Sequence, residues 1–389
     1  MENSRGNSLE LATVFSQYAQ AYEAGHKLCS SQRKAYTAIM HCRTSALGSH
    51  QLVCDGCGYK KISYNSCRNR HCPKCQYIKQ VLWVDKLKSR LLPTRYFHIV
   101  FTIPDFLNRL FYINQRACYD MLFKASSYAI QKTASNPIFL GAQTGNVSVL
   151  HTWGQSLNYH PHIHTLVPAG GMDADGQEWI NASKKFFVPV KALSKIYRAK
   201  FFELLQQALA HKTLAIPQQD GLLYGELKPL KKMVYLKHWN VHIKKTFKGA
   251  GQVINYLGRY THRVAISNSR LLSMSNDMIQ FRWKDYRDNR QKIMELDVLC
   301  FISRFLQHIL PCGYYKIRYY GILAAVHSKT SMRQSFALLG AAPLISPYEG
   351  LSMIAVLQLI TGRDLISCSQ CKKGTMIPIA LSVDVPEDS

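Results

Sequence analysis

The chain has 389 residues, of which 47% are hydrophobic, and it carries 49 Lys and Arg against 23 Asp and Glu, a formal charge of +26. That apolar content excludes a disordered chain and the length suits two or three domains. The charge exceeds what solubility requires and implies a polyanionic partner, nucleic acid first, while the lack of any apolar run of about 18 residues excludes a membrane span.

The opening residues, Met1 to Ser8, lack an apolar targeting core, so a reducing cytoplasm is expected and the cysteines should be thiols or metal ligands. Residues 8 to 47 predict helix, with Leu11, Val14, Phe15, Tyr18 and Tyr22 near a 3.6 period. Cys29, Cys42, Cys54, Cys57, Cys67, Cys72 and Cys75 place seven of the twelve cysteines in the first 75 residues. Two Cys-x-x-Cys knuckles, Cys54/Cys57 and Cys72/Cys75, stand 14 residues apart. This spacing predicts one closed tetrahedral zinc site, structural because it leaves no position for water. Cys67 and His71, with Cys42 and His50 upstream, form a second candidate set. Cys29 and Cys118 are expected to be buried as small apolar residues. From Lys60 to Arg90 there are nine basic residues and one acid, Asp85. Arg68 and Arg70 are candidate phosphate contacts there, although a solvated basic face has the same composition.

Tyr96 to Ile103 predicts a buried strand and residues 106 to 135 a helix. Strands follow at 147–151, 162–167 and near 179–181, which sets His162 and His164 mid-sheet between antiparallel neighbours. Period two sends both imidazoles to one face, with Ile163 pointing into the core. Two imidazoles leave coordination positions open, so an ion held there could polarise a phosphate as a Lewis acid. Residues 190 to 210 predict an amphipathic helix. Between Lys228 and Arg259 there are eight Lys or Arg and no acid, which would draw a dense negative charge toward Lys244, Lys245, Arg259 and, just beyond, Arg263.

A helix over 249–263 would carry Tyr256 and Tyr260 on one face, a turn apart. A phenol that attacks phosphorus stores the energy of the broken phosphodiester as a phosphotyrosine and permits religation without a nucleotide cofactor. Alone, neither pattern is diagnostic, since His-x-His and Tyr-x-x-x-Tyr recur by chance in a chain with 15 His and 22 Tyr. Residues 278–286 and 291–298 predict a hairpin and residues 301–310 a helix. In Tyr314 to Tyr320 aromatics alternate with cations, which suits base stacking and internal packing equally. A short apolar helix over 350–360 precedes Cys368-x-x-Cys371, half a zinc site with no assigned partner. The expected division is 1–90, a helical arm and zinc-binding domain; 91–298, a domain that carries the histidine and tyrosine pairs; and 299–389, a mainly helical C-terminal region.

Several blocks in this order resemble the two-tyrosine rolling-circle transposases of the insertion sequence ninety-one family, within the HUH endonuclease superfamily. They are Ser66 to Gln76, Phe97 to Pro104, His151-Thr152-Trp153-Gly154-Gln155 with His160-Pro161-His162-Ile163-His164, and Tyr256 to Asn268. The resemblance covers roughly residues 10 to 330. It implies an α+β fold, an HUH nuclease core with a ferredoxin-like antiparallel sheet packed by helices, beside an N-terminal zinc-binding domain. It further implies that His162 and His164 hold a catalytic Mg or Mn, and that Tyr256 and Tyr260 are paired nucleophiles on single-stranded DNA, leaving a 5′ phosphotyrosine and a free 3′ hydroxyl. The implied setting is the bacterial cytoplasm at the nucleoid, with transposon ends and target DNA as partners. HUH enzymes usually have a third metal ligand, for which His160, His151 and His262 are all candidates. A replication initiator or relaxase would use the same chemistry on another DNA site, and a zinc-containing DNA-binding regulator would use none of it.

Overall fold

The computed structural model of the chain describes residues 9–183, 187–218, 224–237, 239–247 and 264–379. Tyr256, Tyr260, Arg259, Arg263 and the side chain of Lys245 lie outside the described residues, as does His262. The fold mixes helices with antiparallel sheets. In chain order the strands are β1 (Ser49–Cys54), β2 (Lys60–Tyr64), β3 (Tyr96–Thr102), β4 (Gly145–Trp153), β5 (Tyr159–Pro168), β6 (Gly170–Met172) and β7 (Trp179–Asn181). They continue as β8 (Val241–Phe247), β9 (Leu271–Ser275), β10 (Met278–Asp285), β11 (Arg290–Asp297), β12 (Ile317–Gly321) and β13 (Met376–Ile379).

Packing divides the chain into two compact units that do not follow sequence order. One draws on Met1–Trp83, His262–Leu306 and Ser346–Ser389, the other on Val84–Thr261 and Gln307–Ile345. The C-terminal region is therefore shared between units, and it contains β12 and β13 as well as helices. Both strands were hidden from periodicity because each is short and is defined by a distant partner.

In the first unit the helical stretch breaks in two, Leu11–Gly25 and Ser30–Met40. At the break the Gln32 side-chain carbonyl accepts from the Cys29 N–H at 3.1 Å, supplying a partner for a helix-start donor. Phe15 packs against Tyr36 and Phe305 with ring centroids 4.7 and 5.4 Å apart, which joins these helices to Val298–Leu306. Two three-stranded antiparallel sheets complete the unit, in the orders β13-β1-β2 and β11-β10-β9. Ile279 and Phe281 on β10 are buried, and Phe281 meets Phe301 of the same helix.

The second unit is built on a five-stranded antiparallel sheet of order β12-β4-β5-β3-β8. Alternation assigns its faces. Phe97, Ile99 and Phe101 of β3, Leu150 of β4, and Ile163 and Val167 of β5 enter one apolar core. Helices Gln115–Ala134 and Val190–Ala210 cover that face, with Phe101 edge-on to Tyr197 at 5.0 Å. Residues of the opposite parity, including His162 and His164 on the central strand, project from the other face. The aromatic-cation stretch is divided between packing and surface, with Tyr315 80% exposed. Tyr314 is buried with its hydroxyl donating to Asp120 at 3.0 Å, and Tyr320 on β12 packs against the core.

Candidate metal centres

Strand register places the histidines. His151 on β4 stands opposite His162 on β5, and Val149 stands opposite His164. His151, His162 and His164 form one group whose ligand nitrogens all lie within 4.8 Å of one another. Of the three candidates for the third position, the structure brings His151 to the pair; His160 is outside the group and His262 is among the residues not described.

Hydrogen bonds set which nitrogens face inward. The Nδ1–H of His162 donates to the backbone carbonyl of His160 at 2.7 Å, so its Nε2 carries the lone pair. His164 Nδ1 meets Nε2 of buried His98 at 2.9 Å, and the Nε2 atoms of His162 and His164 approach to 3.1 Å. Two nitrogens at right angles on an ion, each at about 2.1 Å, would be about 3.0 Å apart, so the pair fits a shared divalent ion. Burial lowers the pKa of His162 to about 4, and burial with neighbouring imidazoles holds His164 well below the ordinary histidine value. Both rings are therefore neutral at pH 7, as coordination requires. His98 was missed in the sequence, although its parity on β3 put it on this face; burial and then Lys244 hold it near 3. Lys244 pairs with His98 across β3 and β8, so this exposed cation shares the face with the histidines.

His308, also unanticipated, anchors the loop that enters β5. Its Nε2–H donates to the Leu157 carbonyl at 3.0 Å and its Nδ1 accepts from the Thr152 hydroxyl at 3.2 Å. Burial lowers its pKa to about 4. An unfolded chain takes up this proton near pH 6.5, whereas the folded chain resists until about pH 4. Stability should therefore be fully present above pH 6.5 and decline as pH falls toward 4, with His308 contributing on the order of 3 kcal/mol. Denaturant unfolding of wild type and His308→Gln at pH 7 and pH 4.5 checks this: the acid-induced loss should be smaller in the variant.

The cysteines sort differently from the local spacing. Cys54, Cys57, Cys72 and Cys75 do not close one site. One cluster is Cys42, Cys67, Cys72 and Cys75; the other is Cys54, Cys57, Cys368 and Cys371. The reason is tertiary: the β1–β2 turn brings Cys54 and Cys57 beside the segment leading into β13, while the loop after β2 returns Cys67, Cys72 and Cys75 to the end of helix Ser30–Met40. His71 is in neither cluster; its backbone N–H donates to Asn69 Oδ1 at 2.9 Å. Cys75 Sγ lies 3.5 Å from Cys42 Sγ and 3.6 Å from Cys67 Sγ. Four thiolates about 2.3 Å from a tetrahedral zinc would be about 3.8 Å apart, far from the bonded 2.05 Å of a disulfide. Arg43 and Arg68 directly follow Cys42 and Cys67 in left-handed conformation, with φ of 62° and 52°. Together with Tyr64 and Asn65 they line a cavity of about 500 Å³ on this module. Arg70, by contrast, is half-buried.

An antiparallel sheet bearing a histidine cluster, joined in one basic chain to four-cysteine knuckles, defines a metal-binding protein suited to a polyanion. A family described as "Putative transposase" matches residues 145–331, and one described as "Transposase zinc-binding domain" matches residues 14–103. The chain is 41% identical over 382 residues to the putative transposase y4qJ of Sinorhizobium fredii, covering 96% of this chain and 95% of that protein. It is 32% identical over 291 residues to the transposase for insertion sequence element IS801 of Pseudomonas savastanoi pv. phaseolicola, covering 74% and 69%. No solved structure matches the chain. The chain belongs to the insertion sequence ninety-one family of transposases, and DNA is the polyanion its charge meets.

Proposed function

We propose that this transposase cleaves and rejoins single-stranded DNA at insertion-sequence ends by the HUH, rolling-circle route. The observation that supports it best is the His162/His164 pair, with Nε2 atoms 3.1 Å apart on one face of the central strand and His151 beside them. An ion held by these residues would draw electron density from a bound phosphate. Three imidazoles and, among the described residues, no carboxylate make a donor set that suits Mn better than Mg, which prefers oxygen. Tyr256 or Tyr260 attacks in line: its phenolic oxygen bonds to phosphorus, the bond from phosphorus to the 3′ oxygen breaks, and that oxygen leaves as a hydroxyl after gaining a proton. The second phenol serves the other strand end. An unperturbed phenol has a pKa of about 10, so the attacking tyrosine must pass its proton to a nearby acceptor. Lys244 offers a cation beside this face, Lys245, Arg259 and Arg263 of the basic run in the sequence bind the DNA backbone, and Arg68 and Arg70 do so on the zinc module.

The test is covalent capture of labelled single-stranded oligonucleotides that span an element end, with Mn, Mg or EDTA, read on a denaturing gel. An adduct should form with Mn, persist in Tyr256→Phe and in Tyr260→Phe singly, and vanish in the double variant. An adduct of equal yield in EDTA, or one that survives loss of both phenols, would sink the proposal.

A further inference from the structure

We infer that Cys54, Cys57, Cys368 and Cys371 bind a second structural zinc ion and form a zinc ribbon split between the two ends of the chain. The matched zinc-binding region stops at residue 103, so it contains only half of this site. Cys54 Sγ lies 3.6 Å from Cys371 Sγ, and Cys57 Sγ lies 3.8 Å from Cys368 Sγ. These are edges of a tetrahedron around zinc, where about 3.8 Å is expected.

The two knuckles repeat one backbone design. The N–H of Gly58 donates to the Cys54 carbonyl at 3.0 Å, and the N–H of Lys372 donates to the Cys368 carbonyl at 3.0 Å. Gly58 and Lys372 each turn the chain in left-handed conformation, with φ of 70° and 61°. Backbone N–H groups also aim at the sulfurs, from Gln370 to Cys368 at 3.4 Å and from Gly374 to Cys371 at 3.3 Å. Such bonds stabilise thiolates. Between the knuckles, Asp55 Oδ1 accepts from the Thr375 N–H at 2.7 Å. A Cβ at Gly374 would fall 2.5 Å from Cys54 Sγ, so only glycine permits this approach.

Burial cannot account for the juncture. All five residues of β2 are exposed, and in β13 Ile377 and Ile379 are 47% and 48% exposed. A three-stranded sheet with so little core is marginal in water, and small modules of this kind rely on a metal. Four cysteine ligands leave no open coordination position, so the ion is structural.

The experiment measures zinc per full-length chain by elemental analysis in wild type, in the double variant Cys368→Ser with Cys371→Ser, and in Gly374→Ala, which keeps every cysteine. The difference between chains is the readout, so zinc held elsewhere cancels. Both variants should contain about one zinc fewer than wild type, and trypsin should cut them readily after residue 346 while wild type resists. Unchanged zinc content in the cysteine variant overturns the inference. Should that variant be insoluble, cobalt titration of wild type decides: thiolate-to-cobalt absorbance saturating at two equivalents supports the second site, and saturation at one excludes it. Neither readout depends on DNA cleavage, so the outcome stands apart from that of the proposed function.

Discussion

His164→Ala should reduce metal-dependent cleavage of single-stranded ends by about a thousandfold or more, since Lewis-acid polarisation of a phosphate supplies several kcal/mol of transition-state stabilisation. His164 is the pivot of the cluster: its Nε2 faces His162 and its Nδ1 is held by His98. His162→Ala should match it. His98→Ala, which removes only the orienting contact, should cost roughly 10- to 100-fold in metal affinity or activity. The check is the cleavage rate across a Mn titration. Excess Mn should rescue His98→Ala substantially and His164→Ala hardly at all. If His164→Ala cleaves at the wild-type rate, the cluster is packing and the nuclease centre lies elsewhere.

Cys72→Ser should abolish cooperative folding of the N-terminal module. Cys72 is buried in the cluster with Cys42, Cys67 and Cys75. Structural zinc in small modules contributes about 10–16 kcal/mol of apparent binding energy, comparable to the whole stability of a domain at about 5–15 kcal/mol. The expected result is loss of one zinc per chain together with the module's unfolding transition, measured by calorimetry. Full zinc content with an unchanged midpoint would mean that these thiols are merely packed together.

What the sequence disclosed and what it withheld divide along a physical line. Patterns whose partners are local were legible: His162 and His164 share a face because a strand has period two, and the central position of β5 followed from the turns around it. His151 required the β4–β5 register, which shifts between the His151/His162 and Trp153/Tyr159 pairs, and in the sequence the third position could only be narrowed to three candidates. Cysteine spacing announced zinc, yet spacing cannot sort seven nearby thiols, because the choice is made by where β1, helix Ser30–Met40 and β13 meet in space. His98 lay within a family-like strand whose parity pointed to this face but gave no sign of its partner, and His308 lay in no motif; each acts through a neighbour that only the fold supplies.

The split ribbon also has a consequence for synthesis. Cys57 and Cys368 are 311 residues apart. At typical elongation rates of 5–20 residues per second, the first pair leaves the ribosome roughly 15 to 60 s before the second. During that interval Cys42, Cys67, Cys72 and Cys75, all made within the first 75 residues, can close their own cluster, while Cys54 and Cys57 wait for their partners. A chain cut short before residue 368 would lack the second knuckle of the proposed ribbon, leaving Cys54 and Cys57 without their partners while the Cys42, Cys67, Cys72 and Cys75 cluster keeps all four of its ligands.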